Sequence, residues 1–168
     1  VEVVAFLGSS RREPIHVLHL HDWQTALAAV YLKTMERDRA IVRDVRTLLT
    51  LHNVGYQGIF PGPQFSETGL PLDLFTPTGL EFYGSVNLLK GGILFADAVS
   101  TVSPTYAKEI MTPDGGFGLE GVLAGRRDGV TGITNGIDVD SWNPETDCHL
   151  AASYSRANLS GKAMCKTA

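Results

Sequence analysis

Apolar positions along this chain change spacing in a way that separates strands from helices. Ile15 to Leu20 is a short apolar run broken by His16 and His19, which predicts a strand entered from Pro14. Trp23, Ala26, Leu27, Val30 and Tyr31 then fall at i, i+3, i+4, i+7 and i+8, which predicts a helix with one apolar face. Asp22 stands where the N-cap of that helix belongs. "TLLTL", Thr47 to Leu51, predicts the next strand, and strands separated by helices favour a parallel sheet.

The same alternation continues downstream. "SVNLLKGGILFAD" predicts a helix with Val86, Leu89, Ile93 and Leu94 on one face. Its Gly91–Gly92 pair costs about 1 kcal/mol per residue against alanine, so a close packing contact is expected there. "AVSTV", Ala98 to Val102, predicts a strand. Ser103 and Pro104 then supply an N-cap and a first-turn proline for "PTYAKEI". "GVTGIT" predicts a last short strand, and "NGID", Asn135 to Asp138, turns away from it. The fold class is α/β, with a parallel sheet flanked by helices.

The remaining segments are less periodic. Val1 to Leu7 reads either as a strand or as the tail of a helix capped by Gly8, and "SSRRE" as a polar loop. Gly55 to Gly79 is rich in Gly, Pro and aromatics; its length predicts a functional loop with short helices. Both ends read as cut. The chain opens inside an apolar run without Met and closes in "SRANLSGKAMCKTA", a helix with Ser155 or Asn158 as its cap and no stop signal. The expectation is a piece of a longer protein.

Composition narrows the class of partner. With 168 residues, 43% hydrophobic and 19% charged, the chain can bury a substantial core. A net charge of -4 gives no general attraction to nucleic acid or to an anionic membrane. No apolar stretch approaches a membrane span and no signal peptide opens the chain. Cys148 and Cys165 are too few for a disulfide framework and lack metal-ligand spacing, so they read as thiols in a reducing compartment.

In open parallel sheets, ligands bind beyond the carboxyl ends of the strands. Three polar clusters are placed there: His21–Asp22, His52–Asn53, and Asn135–Gly136 with Asp138. Ser103 follows the third strand. His19 and His21 share a strand face, opposite His16, but no third ligand at recognisable spacing completes a metal site. His16 reads as a strand-edge residue and His19 as a hydrogen-bonded histidine near the core. His21, at the strand end beside a helix N-terminus, can donate to a substrate hydroxyl or carbonyl.

Other chemistries lack their residues. Pro104 directly after Ser103 excludes a G-x-S-x-G elbow, and Glu67, Asp73 and Glu81 form no constrained carboxylate pair. "DGGFGLEG" is a glycine-rich loop rather than a dinucleotide or P-loop motif. Tyr56, Gln57, Phe60 and Phe65 interleave rings with an amide, which suits the faces and hydroxyls of sugars; packing of a long loop explains the aromatics equally well.

"HLHDWQTALAAVYLK", "TLHNVGYQGIF", "GLEFYGSVNLLKGGILFADAVSTVSPTYAKEI", "GFGLEGVL" and "ITNGIDVDSWNPETD", in that order, resemble bacterial glycogen synthase and plant starch synthase. The "YQG" form resembles the bacterial members more closely. The resemblance implies a retaining GT-B glycosyltransferase of two Rossmann-like domains. Residues 1–145 would belong to the first domain, and 146–168 would lead toward a second that is absent. It implies glucose transfer from ADP-glucose to the non-reducing end of an α-1,4-glucan, with no metal or other cofactor. A bacterial member would be cytoplasmic and a plant one plastidial.

By the same resemblance, His21 is the candidate catalytic residue, contacting the donor sugar. Asn53, Tyr56 and Gln57 match a cleft-facing loop; Asn135 and Asp138 match a motif that binds substrate or fixes the hinge. Gln24 stands where the family most often has histidine, and the family's K-T-G-G-L loop is missing. The diphosphate-neutralising residues belong to the second domain, so the chain alone is expected to be inactive. A GT-B enzyme using another nucleotide sugar, such as a sucrose synthase, and a non-catalytic glucan-binding piece remain alternatives.

Overall fold

The computed structural model describes residues 1–10 and 14–168. It divides into two compact units, Val1–Thr134 and Asn135–Ala168, so the division expected after residue 145 falls inside the second. The first unit is built on a parallel sheet of four strands: β1 (Val17–His21), β2 (Arg46–Leu51), β6 (Ala98–Thr101) and β7 (Thr131–Gly132), in the order β1-β2-β6-β7. The sequence-predicted α/β class is the observed one.

β1 starts two residues later than the apolar run predicted and ends one residue later, at His21 itself. It lies at one end of the strand order and pairs with β2 through Leu20↔Leu49 and His21↔Thr50. α2 (Asp22–Lys33) follows without a linker and buries Ala26, Ala29, Val30 and Leu32. The predicted face is thus shifted: Trp23, Leu27 and Tyr31 are half-buried at its flank.

Across from α2 lies α3 (Leu88–Phe95), which buries Leu89, Lys90, Gly91, Gly92 and Ile93. A Cβ on Gly92 would sit 2.6 Å from the Ala26 Cβ, and one on Gly91 would meet Leu80 at 2.9 Å. The glycine pair is therefore where α2 and α3 come closest, as expected from its cost in a helix. α3 begins only at Leu88, after a strand that holds Val86; Leu89 and Ile93 are buried as the spacing predicts, whereas Leu94, at the margin of that face, is exposed.

Leu20, Ala29, Leu49, Leu51, Leu89, Ile93 and Val99 form the main core between sheet and helices. Truncating a side chain such as Leu49 or Leu51, each fully buried, costs about 2–5 kcal/mol. A second cluster, Val30, Phe65, Leu70, Leu80 and Val86, seats the long loop against α2.

That loop contains the expected short helices, of 3-10 type, at Gly62–Thr68 and Leu72–Leu74. Its β3 (Ile59–Pro61) also joins what the sequence did not reveal, a small antiparallel sheet in which β5 (Ser85–Asn87), predicted as the start of a helix, lies between β3 and β4 (Glu81–Phe82). Strands of two or three residues carry too little alternation to register as a pattern.

The apolar start of the chain is helix α1 (Glu2–Ser10), continuing past Gly8. Ser9 and Ser10 close it, and the rest of the predicted polar loop, residues 11–13, lies outside the described residues. Ser103 caps α4 (Pro104–Glu109) as expected, accepting from the N–H groups of Thr105 and Tyr106. Two short helices, α5 (Pro113–Gly116) and α6 (Glu120–Ala124), complete the first unit. In the second unit α7 (Ser160–Thr167) is preceded by Asn158, whose amide oxygen accepts from the Ser160 N–H. No helix among the described residues is long and apolar enough to cross a membrane.

Candidate active site

The parallel registers bring the carboxyl ends of β1 and β2 side by side, and with them two histidines. His21 Nδ1 lies 3.0 Å from His52 Nε2. The His19 ring stands on the same strand face as His21, with centroids 4.2 Å apart, as the alternation of the strand requires. His19 Nε2 bonds Thr50 Oγ1 at 2.7 Å, and Thr50 Oγ1 bonds Ser100 Oγ at 2.8 Å, a polar row crossing three strands. His19 is hydrogen-bonded as expected but exposed rather than close to the core. Partial desolvation of its ring, and after it the neighbouring His21 and His52, lowers its pKa from the ordinary histidine value. His16 is exposed just ahead of β1, where its carbonyl accepts the Arg46 N–H.

Asp22 does not cap α2. Its carboxylate accepts the backbone N–H of His52 at 2.8 Å, so it ties the end of β2 to the start of the helix. The N-cap position belongs to His21, and Thr25 serves the cap: its hydroxyl lies 2.7 Å from the His21 N–H and 2.8 Å from the His21 carbonyl. Asp22 also has φ +51°, a left-handed conformation that costs a non-glycine residue on the order of 1 kcal/mol. A sequence rule that places Asp before an apolar helical face as a cap had no access to this cross-strand partner.

Beyond β2 the chain turns sharply. Asn53 Oδ1 accepts the Gly55 N–H at 2.9 Å, and the Asn53 carbonyl accepts the Tyr56 N–H. The Val54 N–H is taken by the Tyr106 hydroxyl at 3.0 Å. Asn53 and Tyr56 are exposed, Tyr56 at 68%. Gln57 differs. It is 6% exposed, its Oε1 accepts from Asn87 Nδ2 at 2.6 Å, and its Nε2 donates to the Phe117 carbonyl at 3.1 Å. Its amide is thus committed at both ends to the protein, tying the loop after β2 to the N-terminus of α3 and to the glycine-rich turn at Phe117–Gly118.

That turn is strained and closely fitted. Phe117 has φ +51° and Gly118 φ +86°, and a Cβ on Gly118 would meet the Phe82 ring at 2.9 Å. Gly58, at φ +62°, packs so tightly on Trp23 that a Cβ would lie 2.4 Å from the indole. The first unit therefore brings together His21, His52, Asn53 and Tyr56 on one edge, with Gln57 beneath them. Ser103 is consumed as a cap. In the sequence His52 stands out only as a neighbour of Asn53; its approach to His21 follows from the parallel register His21↔Thr50, which leaves His52 two residues beyond the partner of His21 on the same strand face.

In the second unit, Asn135 and Asp138 are exposed. Asp138 accepts from the N–H groups of Asp140 and Ser141 and from the Ser141 hydroxyl at 2.7 Å. Those bonds hold its carboxyl below the ordinary range. Asp147, Cys148 and His149 keep their polar atoms within 4.8 Å of one another; the turn in which Asp147 accepts the His149 N–H accounts for that.

The family model described as starch synthase catalytic domain matches residues 2–125. Glycogen synthase of Thermodesulfovibrio yellowstonii is 53% identical over 146 residues, 87% of this chain and 29% of that protein. Glycogen synthase of Paracoccus denitrificans is 57% identical over 128 residues, 76% of this chain and 26% of its own length. Among solved structures, the catalytic domain of starch synthase IV from Arabidopsis thaliana, bound to ADP and acarbose, is 37% identical with a TM-score of 0.77. That likeness covers 96% of this chain and 33% of the other. The chain thus spans about 30% of the length of the curated relatives it matches. On these grounds it belongs to the glycogen and starch synthase family of glycosyltransferases.

Proposed function

We propose that this chain forms one side of the sugar site of a glucan synthase. The enzyme would transfer glucose from ADP-glucose to the non-reducing end of an α-1,4-glucan, with retention. The observation that carries the reading is His21 at the carboxyl end of β1, on the edge where parallel sheets bind ligands, in a fold shared with a starch synthase solved with ADP and acarbose. His21 contacts the donor sugar. Asn53 and Tyr56 present an amide and a ring to sugar hydroxyls and faces, and Gln57 keeps their loop in place from below. Asn135 and Asp138 are proposed substrate contacts on motif resemblance; the Asp138 carboxylate already engages its own turn.

The reaction requires neither metal nor organic cofactor. Stabilisation of the leaving diphosphate is the largest electrostatic demand of such a transfer, and by the family resemblance it falls to a second domain. A cytoplasmic setting belongs to the same reading, as the resemblance to the bacterial members implies. The test is transfer of labelled glucose from ADP-glucose to glycogen by a full-length synthase carrying this sequence, beside the 168-residue chain alone. Transfer by the long form and none by the short one is expected; transfer only from a different nucleotide sugar would overturn the donor assignment.

A further inference from the structure

We propose that His52 is a positioning residue that fixes the ring orientation and tautomer of His21; the proposal rests on the reading of His21 as a sugar contact. The 3.0 Å separation of His21 Nδ1 and His52 Nε2 requires one nitrogen to carry the hydrogen and the other to be bare. The two tautomers are therefore set together. When His52 donates, His21 accepts at Nδ1 and carries its own hydrogen on Nε2, the nitrogen left to face a ligand. That direction makes His21 a donor to a sugar or phosphate oxygen. The reverse direction would present a bare nitrogen.

The surrounding structure fixes the backbone on which each ring stands. The backbone of His52 is pinned by its N–H to the Asp22 carboxylate, and the backbone of His21 by the Thr25 hydroxyl. Leu51 and Val54, on either side of the His52–Asn53 pair, are fully buried, and the Val54 N–H is held by Tyr106. The His19 ring packs against His21 with centroids 4.2 Å apart and is itself anchored on Thr50. Asp22 adopts its left-handed backbone in the same span, an unfavourable local geometry retained where it joins the two histidine-bearing segments. Nothing in the core requires a histidine at position 52, since the residue is exposed.

The direct test is two-bond proton–nitrogen NMR on the histidine-labelled chain, above the ordinary histidine titration range. The expected result is a His21 spectrum dominated by the Nε2–H form in the wild type. That form should be kept in His52→Gln, whose amide nitrogen can stand in for the ring Nε2, and should give way to a mixture in His52→Leu. A wild-type His21 in the Nδ1–H form, or a mixture already present, overturns the proposal without any variant. In a full-length synthase carrying this sequence, His52→Leu should lower kcat about 10–100-fold with KM for ADP-glucose changed less than about threefold, and His52→Gln should recover most of the loss. Full activity in His52→Leu overturns it. If His21→Ala is itself fully active, the reading of His21 fails instead, and the NMR result still decides the pairing.

Discussion

The Asp22 carboxylate accepts the backbone N–H of His52 at 2.8 Å, joining the residue after β1 to the residue after β2. Removing it leaves that N–H without its partner while the chain still has to enter α2 at φ +51°. Asp22→Asn keeps an acceptor oxygen and a side chain tolerant of that backbone, and should change stability by less than about 1 kcal/mol. Asp22→Ala should cost about 2 kcal/mol, measured by urea denaturation. Equal costs for the two would show that the bond contributes nothing.

Gly92→Ala should be more damaging than an ordinary glycine replacement in a helix. Alanine normally gains about 1 kcal/mol there, but its Cβ would lie 2.6 Å from the Ala26 Cβ and force α2 and α3 apart. The expected outcome is a net loss of about 1–3 kcal/mol. Gly121→Ala, where a Cβ meets open space, is the control and should be neutral or stabilising. A stabilised Gly92→Ala would contradict the packing.

At the other end of the sheet, Asp97 gathers Lys33 Nζ at 2.7 Å, the Thr47 N–H at 2.7 Å and Arg46 at 3.2 Å. Burial raises its carboxyl, yet these bonds outweigh it and lower it to about 2. A carboxyl lowered on folding stabilises at pH values above its unfolded value of 3.8, and the contribution fades as pH falls toward about 2. Over that interval it is worth about 2 kcal/mol. Asp97→Asn should lose about that amount at neutral pH and flatten the acid limb between roughly pH 5 and 2. An unchanged acid limb would remove Asp97 from the account.

Gln57→Leu should destabilise by about 2 kcal/mol, because it leaves Asn87 Nδ2 and the Phe117 carbonyl without their partner. Tyr56→Ala, at an exposed position, should leave the melting temperature nearly unchanged while weakening glucan binding in the full-length synthase. If the two variants exchange these effects, the division of the loop into support and contact is wrong.

What the sequence revealed and what it hid divide along physical lines. The strands Thr47–Leu51 and Ala98–Thr101, the Ser103 cap and the close contact at Gly91–Gly92 follow from local periodicity, capping chemistry and the cost of glycine in a helix. They were legible because each depends on residues within a few positions. The role of Asp22 was not, since its partner is the backbone of a residue on another strand, and a cap is the default for Asp in that position. The inward position of Gln57 is hidden for a related reason. An amide in an aromatic loop reads as sugar-facing, and only burial with two protein partners shows it turned inward. Leu94 lies at the margin of the face that buries Leu89 and Ile93, and the spacing of apolar residues does not show where that face ends.

In the proposed function His21 faces the transferred sugar. That placement is tested most directly by the turnover of a full-length synthase carrying this sequence with His21→Ala, followed as glucose transfer from ADP-glucose to glycogen on protein of unchanged melting temperature. A loss of kcat of about 100-fold or more is predicted. Turnover equal to that of the wild type would contradict the account.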